Sequence, residues 1–172
     1  WLVLVAALFT LARFSEAFLV LRGQQLGLPM AWVPAVILGM SLVYAASAYP
    51  AGLAARYWSR RTLLATGLAV LIGADLVLAN ADGIVLVLAG AALWGLHMGL
   101  TQGLLAALVA DAVPPERTGT AFGVFHLATG VFLLLASALA GLVWDRYGAP
   151  ATFFTGAAFS AVAVAGLLFY RR

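Results

Sequence analysis

The stretch Ile84 to Ala110, IVLVLAGAALWGLHMGLTQGLLAALVA, holds no Asp, Glu, Lys or Arg. An α-helix of about 20 predominantly apolar residues spans the roughly 30 Å hydrocarbon core of a bilayer, so this run reads as one complete membrane crossing. Working outward, the same criterion finds five more runs, at 1–22, 32–55, 62–80, 119–143 and 151–170. The interruptions are chemical. Arg22-Gly23-Gln24-Gln25 through Pro29, Arg56 to Arg61, Asn80-Ala81-Asp82-Gly83, Pro114-Pro115-Glu116-Arg117 and Asp145 to Pro150 bring charges, glycines and prolines that end apolar helices. The composition agrees: 65% of the 172 residues are hydrophobic and 9% are charged, against about 25% charged in an ordinary soluble domain. The fold class expected is all-α, a polytopic membrane protein of six transmembrane helices in one bundle, residues 1–172, with loops too short for a soluble domain.

The nine basic residues are all arginine, and their placement reads as orientation rather than as a nucleic-acid surface. Arg56, Arg60, Arg61, Arg117, Arg171 and Arg172 fall on one side of the predicted bundle, against Arg22 and Arg146 on the other. Basic residues in short loops favour the cytoplasm, so both termini are expected inside, in a plasma membrane of bacterial inner-membrane type. Trp32, Trp58 and Trp144 stand at predicted helix ends, where an indole anchors in the headgroup layer. The absence of cysteine excludes disulfides, thiolate metal sites and a cysteine nucleophile. The chain opens on Trp1 with no signal-peptide layout and is expected to continue upstream.

An internal repeat is visible in the loops. Gly52-Leu53-Ala54-Ala55-Arg56-Tyr57-Trp58-Ser59-Arg60-Arg61 follows the second crossing, and Gly141-Leu142-Val143-Trp144-Asp145-Arg146-Tyr147-Gly148 follows the fifth. Three crossings separate the copies, so they face opposite sides. This predicts two inverted three-helix units, 1–80 and 84–170, a construction that recurs among secondary transporters.

These loops resemble the signature loop of the major facilitator superfamily, which has a glycine at position one, an aspartate at five, then an arginine, a glycine and a basic pair. Gly52, Arg60 and Arg61 match it, while Arg56, Tyr57 and Ser59 replace the aspartate, arginine and glycine. Gly141, Asp145, Arg146 and Gly148 keep the spacing better. The fragment Asp111 to Gly123 is similar to the family's loop into its eleventh helix. The resemblance covers nearly the whole chain and is to the C-terminal six-helix half of a twelve-helix transporter. It implies that Gly52, Arg60, Arg61, Gly141, Asp145 and Arg146 belong to a gating loop network, that helices one and four line a central cavity, and that helices two and five face the other half.

The residues point to the same two helices without that comparison. Helix one carries Arg13 and Glu16, three apart and able to pair on one helical face. At about 1.5 Å per residue, Arg13 lies roughly 13 Å from the end of the helix at Arg22, close to the midplane. Two central charges cost about 5–7 kcal/mol to insert, so they must face protein or water, as a structural pair or as a solute or proton pathway. Helix four brings His97, Thr101 and Gln102 to mid-depth, opposite a small-residue stripe of Ala91, Gly95, Gly99, Gly103 and Ala107 suited to close helix contact; His97 either lines a cavity or packs. Tyr44, with Ser41 and Ser47, brings hydroxyls to mid-depth in helix two. His126 shares a face with Gly119, Gly123 and Gly130 and reads as packing, and Asp75 reads as reaching the headgroups.

The function expected is secondary active transport of a small-molecule solute by alternating access, efflux-like and proton-coupled through Glu16 or His97. Six helices form half of such a machine, so the expected partners are the lipid bilayer, the solute, and either an N-terminal six-helix half or a second copy in a homodimer, with no nucleic acid. The alternatives are a structural membrane subunit, or a homodimerising half-transporter without its own coupling. An intramembrane enzyme is disfavoured: Gly39-Met40-Ser41-Leu42 lacks the glycine of a serine-nucleophile turn, and the two histidines lie at different depths for haem ligation. No catalytic residue, metal site or cofactor is expected.

Overall fold

The computed structural model describes residues 9–169, and their side chains from 9 to 167. Among the described residues the chain is helical with no strand. Four helical stretches are long and apolar enough to cross a membrane, Met30–Ala54, Arg60–Ala79, Ile84–Asp111 and Pro115–Leu167. The protein is an all-α integral membrane protein.

The helices are named α1 Ala17–Gln25, α2 Val33–Ala54, α3 Arg60–Ala79 and α4 Ile84–Asp111. A further continuous run, Thr118–Phe169, leaves helical geometry at Gly148, where φ is 83° and ψ is 174°. That combination is open essentially to glycine alone, and Pro150, two residues on, suits the start of a helix because its missing N–H is needed by no partner there. Gly148 divides the run into α5, 118–147, and α6, 149–169. The six-residue break expected at Asp145 to Pro150 is thus contracted to one residue. The two legs fold back on each other: Thr152 Oγ1 donates to the carbonyl of Ala140 at 3.4 Å, although twelve residues of straight helix would separate them by about 18 Å.

The remaining helix ends follow their local chemistry. Ser59 caps α3, its Oγ accepting from the Thr62 N–H at 3.1 Å. Arg22 closes the other end of α3: Nε donates to Leu78 O at 3.1 Å, and Nη2 donates to Ala81 O at 2.7 Å and to Ala79 O at 3.4 Å. A guanidinium there satisfies carbonyls that a helix C-terminus leaves orphaned and complements its dipole.

The core is built around α4. Gly67 of α3 packs on Thr101 and Gly90 of α4 on Leu78, so α3 and α4 are antiparallel. On the other face, Gly95 lies so close to α2 that a Cβ there would stand 2.2 Å from the Met40 carbonyl oxygen, and one on Gly99 would stand 2.0 Å from Ser47 Oγ. The small-residue stripe is therefore the α2 contact at Gly95 and Gly99, while Gly103 has nothing within 4 Å. Trp94, Leu68, Leu71, Val87 and Phe153 are fully enclosed.

The first helix departs most from expectation. Residues 1–8 lie outside the described residues. Residues 9–12 are helical, the backbone then unwinds over 13–16, and α1 starts at Ala17. The Ser15 N–H, left without an intrahelical acceptor, donates to Ser137 Oγ of α5 at 3.1 Å. Phe14 plugs the gap, its ring 5.2 Å from Phe18, 5.4 Å from Trp94 and 5.6 Å from Phe153. Because the segment is not helical, a three-residue spacing does not place Arg13 and Glu16 on a common face.

Candidate functional site

The break in the first helix, α2, α4 and α5 surround a cavity of about 540 Å³. Its polar lining comprises Arg13, Tyr44, His97, Thr101, Gln102, His126 and Thr129, and its aromatic walls are Phe9, Phe122 and Phe125. A chamber of this size, mostly apolar with a few convergent polar groups, is the usual form of a small-molecule site.

The α4 residues are placed by helical repeat. His97 and Thr101 are one turn apart and nearly fully enclosed, at 2% and 1% exposure. His97 Nδ1 lies 2.8 Å from the Gly67 carbonyl oxygen, and Thr101 Oγ1 donates to the His97 carbonyl at 2.8 Å. A carbonyl only accepts, so Nδ1 carries the hydrogen, and Nε2 is left free of that bond. Tyr44 donates its hydroxyl hydrogen to Gln102 Oε1 at 3.3 Å, which ties α2 to α4 at the cavity wall.

Arg13 is half-buried. Its guanidinium hydrogen-bonds to no side chain or carbonyl among the described residues, although Glu16 and Tyr44 act on it electrostatically and it acts on His97. Arg13 and Glu16 form no ion pair among the described residues, and Glu16 is not among the residues lining the cavity. Of the six pathway residues expected, the fold brings five together, Arg13, Tyr44, His97, Thr101 and Gln102.

Arg60 pairs with Asp111 across the α3 and α4 ends, both side chains substantially exposed, and Arg61 is engaged as well. A Cβ on Gly52 would meet nothing within 4 Å among the described residues. Asp145 and Arg146 are exposed at the α5 end, and Gly141 is open on its Cα side. Arg171 and Arg172 lie outside the described residues.

Among the described residues His126 meets no neighbouring helix: it is exposed and lines the cavity, stacked on Phe122 at 6.1 Å and edge-on to Phe125 at 5.4 Å, and a Cβ on Gly119, Gly123 or Gly130 would meet nothing within 4 Å. The signal for its true place was present, since 122, 126, 129 and 133 recur at three- and four-residue steps on one helical face. Asp75 does not reach the headgroups: its exposure is 0%, because α6 and the Phe14 segment lie over it.

The fold and the cavity define a polytopic helical membrane protein with a partly open chamber, apolar with a few polar groups, between its helices. The chain belongs to the major facilitator superfamily, whose family model matches residues 2–172. It is also 28% identical, over 97% of its length, to an uncharacterized MFS-type transporter of Methanocaldococcus jannaschii. It spans 43% of that relative's length, a little under half.

Proposed function

We propose that this chain is the solute-binding half of a secondary active transporter that moves a small polar or anionic solute by alternating access. The observation that carries the reading is the cavity of about 540 Å³, into which an arginine without a hydrogen-bonded partner among the described residues, a histidine and three hydroxyl or amide groups converge. Arg13 supplies fixed positive charge for an anionic group. Tyr44 and Gln102 supply a donor and acceptor pair that a solute can rearrange, and His97 Nε2 supplies an acceptor that exchanges a proton with the chamber. Intramembrane ionisable residues that face a cavity are the usual markers of a solute or proton path.

In this reading the chain forms two inverted three-helix units, 1–80 and 84–170, both of whose first helices reach the chamber: Phe9, Thr10 and Arg13 from one, His97, Thr101 and Gln102 from the other. The exposed apolar side chains of α2 and α5, among them Leu38, Leu42, Leu127, Leu134 and Leu142, support a second six-helix half as the partner that completes the chamber. The arginine bias supports cytoplasmic termini in a plasma membrane. Proton coupling through a pairing of Glu16 with Arg13 draws no support, because the two form no ion pair among the described residues.

The test is uptake by the full-length protein in proteoliposomes, with solutes selected by thermal shift from organic anions, sugars and drugs. Arg13→Gln is expected to remove both the thermal shift and the uptake of the selected solute while leaving the unliganded melting midpoint in place. An Arg13→Gln protein that binds and transports at the wild-type rate overturns the reading.

A further inference from the structure

Asp75 is a carboxyl group wholly enclosed in the bundle, at 0% exposure, and neither Oδ1 nor Oδ2 has a hydrogen-bond partner among the described residues. It stands apart from the cavity. A Cβ added to Gly156 of α6 would stand 2.8 Å from Asp75 Oδ2 and 2.7 Å from Phe14 Cε1. The α6 backbone, the Asp75 carboxyl and the Phe14 ring therefore meet at one point, which only a glycine permits.

The surroundings bring no compensating charge. From α4, the Gly67–Thr101 and Gly90–Leu78 contacts set a register that puts Trp94 level with Asp75, and the Trp94 Nε1–H is itself buried without a partner. From α6, Gly156 and, one turn on, Ser160 face α3, and Ser160 Oγ is also buried and unpartnered. The unwound segment contributes Phe14, while its neighbour Arg13 is directed to the cavity. On α3 itself the adjacent turns carry Leu71, Ala74, Leu78 and Ala79. No Arg or His side chain and no second carboxyl is paired with Asp75 from any of these elements. An ionised carboxylate enclosed in this way would keep neither water nor a counter-ion, a state that buried charges in proteins avoid by pairing or by neutralising.

We propose that Asp75 is a proton-binding site, separate from the solute cavity, whose proton holds α6 and the Phe14 segment against α3. With the proton in place, the carboxyl is a neutral group against which Gly156 and Phe14 close. Loss of the proton charges the group, which then draws in water and parts α6 and Phe14 from α3. Since Phe14 adjoins Arg13, the unwound segment transmits that parting to the cavity wall. The inference concerns the fold of this chain and stands whether or not the cavity carries a transported solute.

The experiment is infrared difference spectroscopy and thermal unfolding of the purified full-length protein, wild type against Asp75→Asn, from about pH 5 to about pH 9, the span in which enclosed carboxyls titrate. The wild type is expected to show the carbonyl stretch of a protonated carboxylic acid that Asp75→Asn lacks. Its melting midpoint is expected to fall by several degrees as the pH rises, because the folded state then binds more protons than the unfolded one. Asp75→Asn, a neutral group of the same shape, is expected to fold with a midpoint that lacks this fall. Identical carbonyl spectra for the two proteins, or an unaltered pH profile in Asp75→Asn, overturns the proposal. So does a wild-type melting midpoint that rises with sodium chloride and not with choline chloride, which would make the site a cation site. Failure of transport in proteoliposomes bears on the cavity alone and leaves these readouts in force.

Discussion

His97 Nδ1 lies 2.8 Å from the Gly67 carbonyl oxygen, across the closest approach of α3 and α4. One nitrogen of the ring is thereby committed to structure and the other is left to the cavity, which lets the two roles be separated by substitution. The Asn amide nitrogen stands at the same distance from the backbone as Nδ1 and can keep the bond to Gly67. His97→Asn is therefore expected to melt within about 1 kcal/mol of wild type, whereas His97→Ala removes that bond and empties the enclosed site of the ring, and costs about 2–5 kcal/mol. Both variants lose Nε2 and are expected to weaken solute binding about tenfold, the equivalent of roughly 1.4 kcal/mol. Thermal unfolding in detergent and a solute titration on the same samples check both halves.

The α2–α4 seam makes a graded prediction for three glycines on one stripe. At Gly95 a methyl group would meet the Met40 carbonyl oxygen at 2.2 Å, a backbone atom that yields only if α2 moves, so Gly95→Ala is expected to cost about 1–3 kcal/mol. At Gly99 the nearest atom is Ser47 Oγ, which can rotate, followed by Ser47 Cβ at 2.9 Å and the Tyr44 carbonyl at 3.0 Å, and the loss is expected to be smaller. Gly103 faces open space, so Gly103→Ala is expected to stabilise by about 0.5–1 kcal/mol through helix propensity alone. Melting midpoints in the order Gly103→Ala, Gly99→Ala, Gly95→Ala, from highest to lowest, confirm the seam; equal midpoints refute it.

The stripe shows what was legible in the sequence. Hydropathy places α2, α3 and α4 to within a few residues, because an apolar run between arginines and prolines has no other stable fate in a bilayer. Four-residue spacing finds the close contact of α4, and it sets His97 on the opposite face, toward the cavity. What was not legible depends on tertiary partners. The unwinding at 13–16 has no proline or glycine to announce it, and it is sustained by Ser137, more than a hundred residues away in sequence. Asp75 looked superficial because depth was counted along its own helix, whereas its enclosure comes from α6 and Phe14. The α5 cavity face was not legible because the glycines that share it with His126 are also the pattern of a close helix contact.

Arg22 is expected to matter more than a residue near a helix end usually does. Its three bonds to Leu78, Ala79 and Ala81 carbonyls join the first helix to the C-terminus of α3. Hydrogen bonds to a charged group contribute about 1.5–3 kcal/mol, so Arg22→Ala is expected to lose an amount in that range, with faster hydrogen exchange over 79–82. Arg22→Lys restores charge but not the planar fork, and it is expected to recover only part of the loss. Unchanged exchange over 79–82 in Arg22→Ala would show that this end of α3 closes without it.

The Arg60–Asp111 pair is expected to be weak in stability, despite its place between the start of α3 and the end of α4. Both side chains are about half exposed, and exposed pairs contribute about 0.2–1 kcal/mol, less in high salt. A double-mutant cycle of Arg60→Ala and Asp111→Ala is expected to return a coupling in that range that fades as salt is raised. The pair nonetheless spans two helices that must keep their spacing if α4 is to hold His97 against Gly67. A charge swap, Arg60→Asp with Asp111→Arg, is therefore expected to preserve solute binding where either single reversal lowers it. If a single reversal binds solute as well as wild type, the two helix ends are held by the Gly67–Thr101 packing below them, and the pair is a surface contact only.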